Sequence, residues 1–103
     1  RDRWQAEQVA YLLGKLQGAA EGAGTLLDNT LLLWSSEVSR GNVHAHDEMP
    51  FLLAGHAAGW QMGRTLRVTR RAHNGLLTSI LQGLGGANSA FGDSQFASSP
   101  LGL

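Results

Sequence analysis

Two short apolar runs without internal alternation, Leu31-Leu32-Leu33-Trp34 and Phe51-Leu52-Leu53-Ala54, constrain this chain more than any other feature. A half-exposed strand alternates polar and apolar side chains. An unbroken apolar run instead points to a strand covered on both faces, as in parallel sheets. Pro50 suits the first position of the second run, where no ladder donor is needed. Between the runs lies a polar stretch with Glu37 near its start and His44 and His46 further along. Ligands of open α/β sheets gather outside the carboxyl ends of strands. A carboxylate leaving one buried strand and two imidazoles preceding the next therefore suggest a metal centre or an acid–base pair.

The flanking segments supply helices and turns. Asp2 is placed to cap a helix from Arg3 to Gln17, with Gln5 where a capping-box partner would reach back. Ala6, Val9, Leu12, Leu13 and Leu16 form its apolar stripe. Gly18 to Gly24 ends that helix, and Asp28-Asn29 reads as a turn leading into the first strand. Gly55 to Gly63 reads as a connection holding His56 and Trp60, and Thr65 to Thr69 alternates as a half-exposed edge strand does. A second helix is expected from Asn74 to Leu84, burying Leu76, Leu77, Ile80, Leu81 and Leu84, with Gly85-Gly86 as its stop. Residues 87–103 read as an irregular tail pinned by Phe91, Phe96 and Leu101, and Trp4, Trp34 and Trp60 as core or layer contacts. Helix, buried strand, loop, buried strand, edge strand, helix is an α/β order.

Composition narrows the chemistry. At 103 residues and 43% hydrophobic content the chain is long enough for one small domain. A formal net charge of +0 removes the long-range electrostatic argument for nucleic acid or an anionic membrane. No apolar run approaches the roughly 20 residues of a membrane-spanning helix. There is no cysteine, so any metal must be held by imidazole and carboxylate, a ligand set that suits zinc, manganese or calcium. The chain opens on Arg1-Asp2-Arg3 without a targeting segment, which sets the expectation of a piece of a longer protein.

Several side chains could carry chemistry. Glu37 is either a ligand or acid–base group, or an ordinary loop carboxylate. His44 and His46, two apart, point the same way on extended backbone and can present two nitrogens to one ion. Asp47 and Glu48 either orient a ligating histidine or are solvated loop charge, and Ser36 is a further neighbour able to orient a ligand. Ser35 and Ser36 lack the Gly-x-Ser-x-Gly frame of a nucleophile elbow. Arg64, Arg67, Arg70 and Arg71 could grip a phosphate or sulfate group, or simply protect an edge strand with charge. His56 and His73 suit ordinary loop or helix-cap roles.

Leu27-Asp28-Asn29-Thr30 through Glu37 resembles the strand that, in the alkaline phosphatase and sulfatase superfamily, runs into a metal-binding Asp-His or Asp-Asn pair. The stretches Gly41 to Gly55, His73 to Ser79 and Phe91-Gly92-Asp93 extend this, and are similar to bacterial proteins of the HxxSHH type, distant members of that superfamily. The resemblance implies part of a three-layer α/β/α alkaline-phosphatase-like fold with a mostly parallel sheet, residues 1–103 being its C-terminal segment. It implies a metal-dependent hydrolase of phosphate or sulfate esters, periplasmic or exported. Glu37 and His46 would then be ligands of a divalent metal, zinc foremost, with His44 a third candidate. The nucleophile and the remaining ligands would lie upstream in the same domain, leaving this segment inactive alone and its enzyme status open. Val38 departs from the pattern, because it stands where the family's paired His or Asn binds metal. A non-catalytic exported binding or structural module is the alternative, and a truncated product without an independent role is a third reading.

Overall fold

A computed structural model of the chain describes residues 1–57 and 59–103. Ala58, within the expected Gly55–Gly63 connection, lies outside the described residues. The chain divides into two compact units, Arg1–His56 and Ala57–Leu103.

The first unit opens with helix α1, Asp2–Gly18. It begins one residue earlier than the spacing predicts, with Arg1 at the cap and no capping side chain. Asp2 is therefore not a cap but an acidic residue of the first turn, where the positive end of the helix dipole favours it. Val9, Leu13 and Leu16 are half-buried and form the packed stripe, while the opposite side leaves Trp4 63% and Tyr11 65% exposed. The layer contact expected of Trp4 is thus not made.

A tight ribbon follows, β1 Ala20–Glu21 against β2 Gly24–Thr25. It runs into a 3-10 helix, Leu26–Asn29, against which α1 packs. Asp28 and Asn29 belong to that helix rather than to an open turn. Its start is closed by a capping box in which the Asp28 carboxylate accepts from the Thr25 backbone N–H at 2.7 Å and the Thr25 hydroxyl at 3.1 Å. Asn29 Nδ2 donates to Glu21 Oε2 at 2.8 Å, tying the 3-10 helix back to β1.

The two apolar runs form β3, Leu31–Ser35, and β4, Phe51–Gly55. They pair with each other, and antiparallel, from Leu31 opposite Gly55 to Ser35 opposite Phe51. This overturns the expected parallel three-layer α/β/α sheet: the described residues contain two small antiparallel two-stranded sheets and no parallel pair. The cause lies in the connection. Parallel neighbours need a crossover, usually a helix, whereas residues 36–50 fold back on themselves. The Ser39 N–H donates to the Ala45 carbonyl at 2.8 Å, and Arg40 bridges Ala45. Nor are the strands buried: every residue of both is half-buried or exposed.

Gly55 ends the ribbon with φ +96°. A Cβ there would collide with the Thr30 carbonyl oxygen, which accepts the His56 N–H at 2.8 Å, so glycine is required by both conformation and space.

The second unit is organised by helix α2, Asn74–Gly83. Leu84 is its cap. The Gly86 N–H donates to Leu81 O at 2.9 Å and the Gly85 N–H to Gln82 O at 3.0 Å, a Schellman stop with Gly85 at φ +95°. Leu76, Thr78 and Ser79 are buried, but Leu84 is exposed rather than packed. Thr65–Thr69 forms no strand. Its alternation is present, but among the described residues no neighbouring strand receives it, and a strand without a ladder is not stable. Residues 87–103 carry neither helix nor strand, and Ser98 to Leu101 are bonded onto α2. Thr78 Oγ1 donates to Ser98 O at 3.1 Å, and Ser79 Oγ accepts the Leu101 N–H at 2.7 Å. The Phe91 and Phe96 rings are exposed, and Phe91 is held instead through its carbonyl, which accepts from Asn74 Nδ2 of α2 at 2.9 Å. No described helix is long and apolar enough to cross a membrane.

Candidate functional site

The polar loop 36–50 closes the β3–β4 ribbon, so its two legs leave and re-enter the sheet side by side. At its base Ser35 Oγ donates to Pro50 O at 2.9 Å. Higher up, Ser39 holds the opposite leg twice: Oγ donates to Ala45 O at 3.1 Å and to Asp47 Oδ1 at 3.4 Å. Glu37 stands on the outgoing leg, His46 and Asp47 on the returning one, and His44 at the tip. His44 and Glu48 both adopt left-handed backbone, φ 50° and 49°, a conformation uncommon outside glycine that bends the chain on either side of His46.

The side chains divide into two sets. Asp47 and Glu48 are engaged by Arg40, whose Nη2 lies 3.6 Å from Asp47 Oδ2 and 4.0 Å from Glu48 Oε2. All three are exposed, so these pairs contribute at most about 1 kcal/mol. Ser36 is occupied locally, its Oγ accepting the Val38 N–H at 3.4 Å. By contrast, Glu37, His44 and His46 are exposed and have no hydrogen-bond or ion-pair partner among the described residues.

These donors do not by themselves fit a metal ion. Structural and catalytic centres take three or four protein ligands, and among the described residues no group of three or more His, Cys, Asp or Glu is placed to hold one. The loop therefore carries an incomplete donor set, with a guanidinium already beside its two adjacent carboxylates. Arg40 is the residue the sequence reading missed. The signal was weak: one arginine before Gly41-Asn42, whose meaning depends on the chain reversing there.

Two residues of the arginine cluster, for which an anion grip and edge-strand protection were equally open, are engaged within the chain. Arg71 Nη2 donates to Ser98 Oγ at 3.2 Å, to Ser99 Oγ at 3.0 Å and to the Ser99 carbonyl. Arg64 donates to Gln61 O at 3.0 Å and Gly102 O at 3.3 Å. Both bond residues of the tail. A shallow groove in the second unit, lined by Trp60, Ser79, Gln82, Gly83, Pro100 and Leu101, contains none of the expected ligands.

One carboxylate is clearly perturbed. The Asp28 pKa is held below the usual aspartate range, chiefly by the Thr25 backbone N–H and then by the Thr25 hydroxyl, with a small contribution from the charge of His56. Asp28 acts as a cap and is not one of the loop donors.

Comparison with family models, with curated proteins and with solved structures found no match to this chain.

Proposed function

We propose that loop 36–50 contributes Glu37 and His46, with His44 as a third candidate, to a divalent-metal site completed by residues outside this chain. The parent protein would be an exported metal-dependent hydrolase of the phosphate or sulfate ester class. The observation that carries this reading is the division within the loop: Asp47 and Glu48 share the one guanidinium of Arg40, while the three ligand-type groups remain exposed and uncommitted. The ester class rests on the sequence resemblance. Metal content of the full-length protein, purified without chelator, tests the proposal. About one divalent ion per chain is expected, lost in Glu37→Ala and in His46→Ala while the fold is retained. A folded wild-type protein free of metal would sink it.

A second reading has its own support. A guanidinium within reach of two loop carboxylates opposes a nearby dication, and Val38 cannot ligate. These features favour a non-catalytic exported binding or structural module. That reading leaves Glu37→Ala and His46→Ala without effect on any bound metal.

A further inference from the structure

Asn74-Gly75 is the one Asn-Gly pair in the chain, the other asparagines being followed by Thr30, Val43 and Ser89. Asparagine is thermolabile because the next backbone nitrogen can attack its side-chain carbonyl carbon, and a following glycine, without a Cβ, shields that nitrogen least. In that reaction the Gly75 nitrogen bonds to Asn74 Cγ and gives up its proton, which leaves with the side-chain nitrogen as ammonia. Water then opens the succinimide ring at either carbonyl, leaving Asp or isoaspartate.

The fold sets this pair at the start of α2 and fastens each group the reaction uses. The Gly75 N–H, whose nitrogen is the nucleophile, donates to Ala72 O at 3.2 Å. The carbonyl of the same peptide group, Asn74 O, accepts the Thr78 hydroxyl at 2.9 Å. The nitrogen to be displaced, Asn74 Nδ2, donates to Phe91 O at 2.9 Å. Attack requires the peptide plane to turn until its nitrogen faces Cγ, so these bonds must give way first.

The tail keeps that clasp shut. The fully buried Thr78 hydroxyl shares its proton between Asn74 O and Ser98 O, the latter at 3.1 Å. Gly75 is buried, and a Cβ on it would come within 2.9 Å of the Ser99 carbonyl oxygen and 3.3 Å of Arg71 Nη2, so the tail backbone lies flush on the reactive peptide. Arg71 and Ser79 bond the same tail residues from α2 and its approach. That closeness leaves no room for a side chain at position 75, so the packing demands the very glycine that makes Asn74 labile.

We propose that Asn74 is a latent modification site, deamidated to Asp or isoaspartate when residues 98–101 lift from α2, and that the conversion keeps the tail from returning. A carboxylate at position 74 cannot donate to Phe91 O and sets a charge against that carbonyl instead. Isoaspartate also adds a carbon to the main chain of the first turn, displacing Gly75 from beneath Ser99. The second unit thus holds a one-way record of tail release, independent of loop 36–50 and of the metal reading.

Peptide mapping by mass spectrometry, on the chain held at mildly alkaline pH, tests it. Deamidation at Asn74 is timed against Asn88, which is exposed in the tail. In the folded chain Asn74 is expected to be the slower of the two, and in urea the faster. Arg71→Gln and Ser79→Ala, each checked by circular dichroism for retained helix, should raise the Asn74 rate about tenfold and leave Asn88 unchanged. Wild type in urea below its unfolding midpoint should show the same rise without a substitution. An Asn74 rate that is equal in folded and unfolded chain overturns the proposal, as does one that neither the variants nor low urea moves. Deamidated chain, separated by its added negative charge, should be cleaved faster near Ser98–Leu101 than unmodified chain; equal cleavage overturns the one-way record.

Discussion

Gly55→Ala is the substitution for which the structure gives the most definite cost. The residue sits at φ +96°, and the added methyl group would run into the Thr30 carbonyl oxygen. A non-glycine residue held in such a region costs about 1–3 kcal/mol. Relieving the collision by moving Thr30 also breaks its hydrogen bond from the His56 N–H, about 1 kcal/mol more. A total near 3 kcal/mol corresponds to a fall in Tm on the order of 10–20 °C for a domain of this size. Thermal and urea unfolding followed by circular dichroism measure it. A variant within about 0.5 kcal/mol of wild type would show that the ribbon end is not built as described.

Two further outcomes follow from hydroxyl and carboxylate contacts. Ser79 is buried and its Oγ both accepts the Leu101 N–H and donates to Gly75 O, so Ser79→Ala should cost about 1–3 kcal/mol and free the tail. Limited proteolysis near Ser98–Leu101 reports this. Asp28 has a depressed folded pKa, so the stability it contributes is complete above the ordinary aspartate range and is lost as pH falls through the lowered value. Acid titration of the Leu26–Asn29 segment by NMR should show that loss in the wild type and not in Asp28→Asn.

The helices were legible because their apolar spacing is a local property. Val9, Leu13 and Leu16 mark the packed stripe of α1, and Gly85-Gly86 stops α2 within a residue of the expected place. The positions of β3 and β4 were equally plain. Their direction was not, because an unbroken apolar run tells that both faces want cover but is silent on which neighbour supplies it. Thr65–Thr69 shows the same gap from the other side: alternation with no neighbouring strand among the described residues gives no strand. In the loop, the positions of Glu37, His44 and His46 could be read, but the engagement of Asp47 and Glu48 by Arg40 depends on a chain reversal that no local pattern signals.

The loop geometry and the role of Gly55 both depend on β3 and β4 running antiparallel in one register. Hα–Hα cross-peaks in a NOESY spectrum of the labelled chain test that pairing directly. Strong peaks are expected between Leu33 and Leu53 and between Ser35 and Phe51, the pairs whose backbone groups face away from each other. Their absence, with β3 showing contacts to a parallel neighbour instead, would contradict the account.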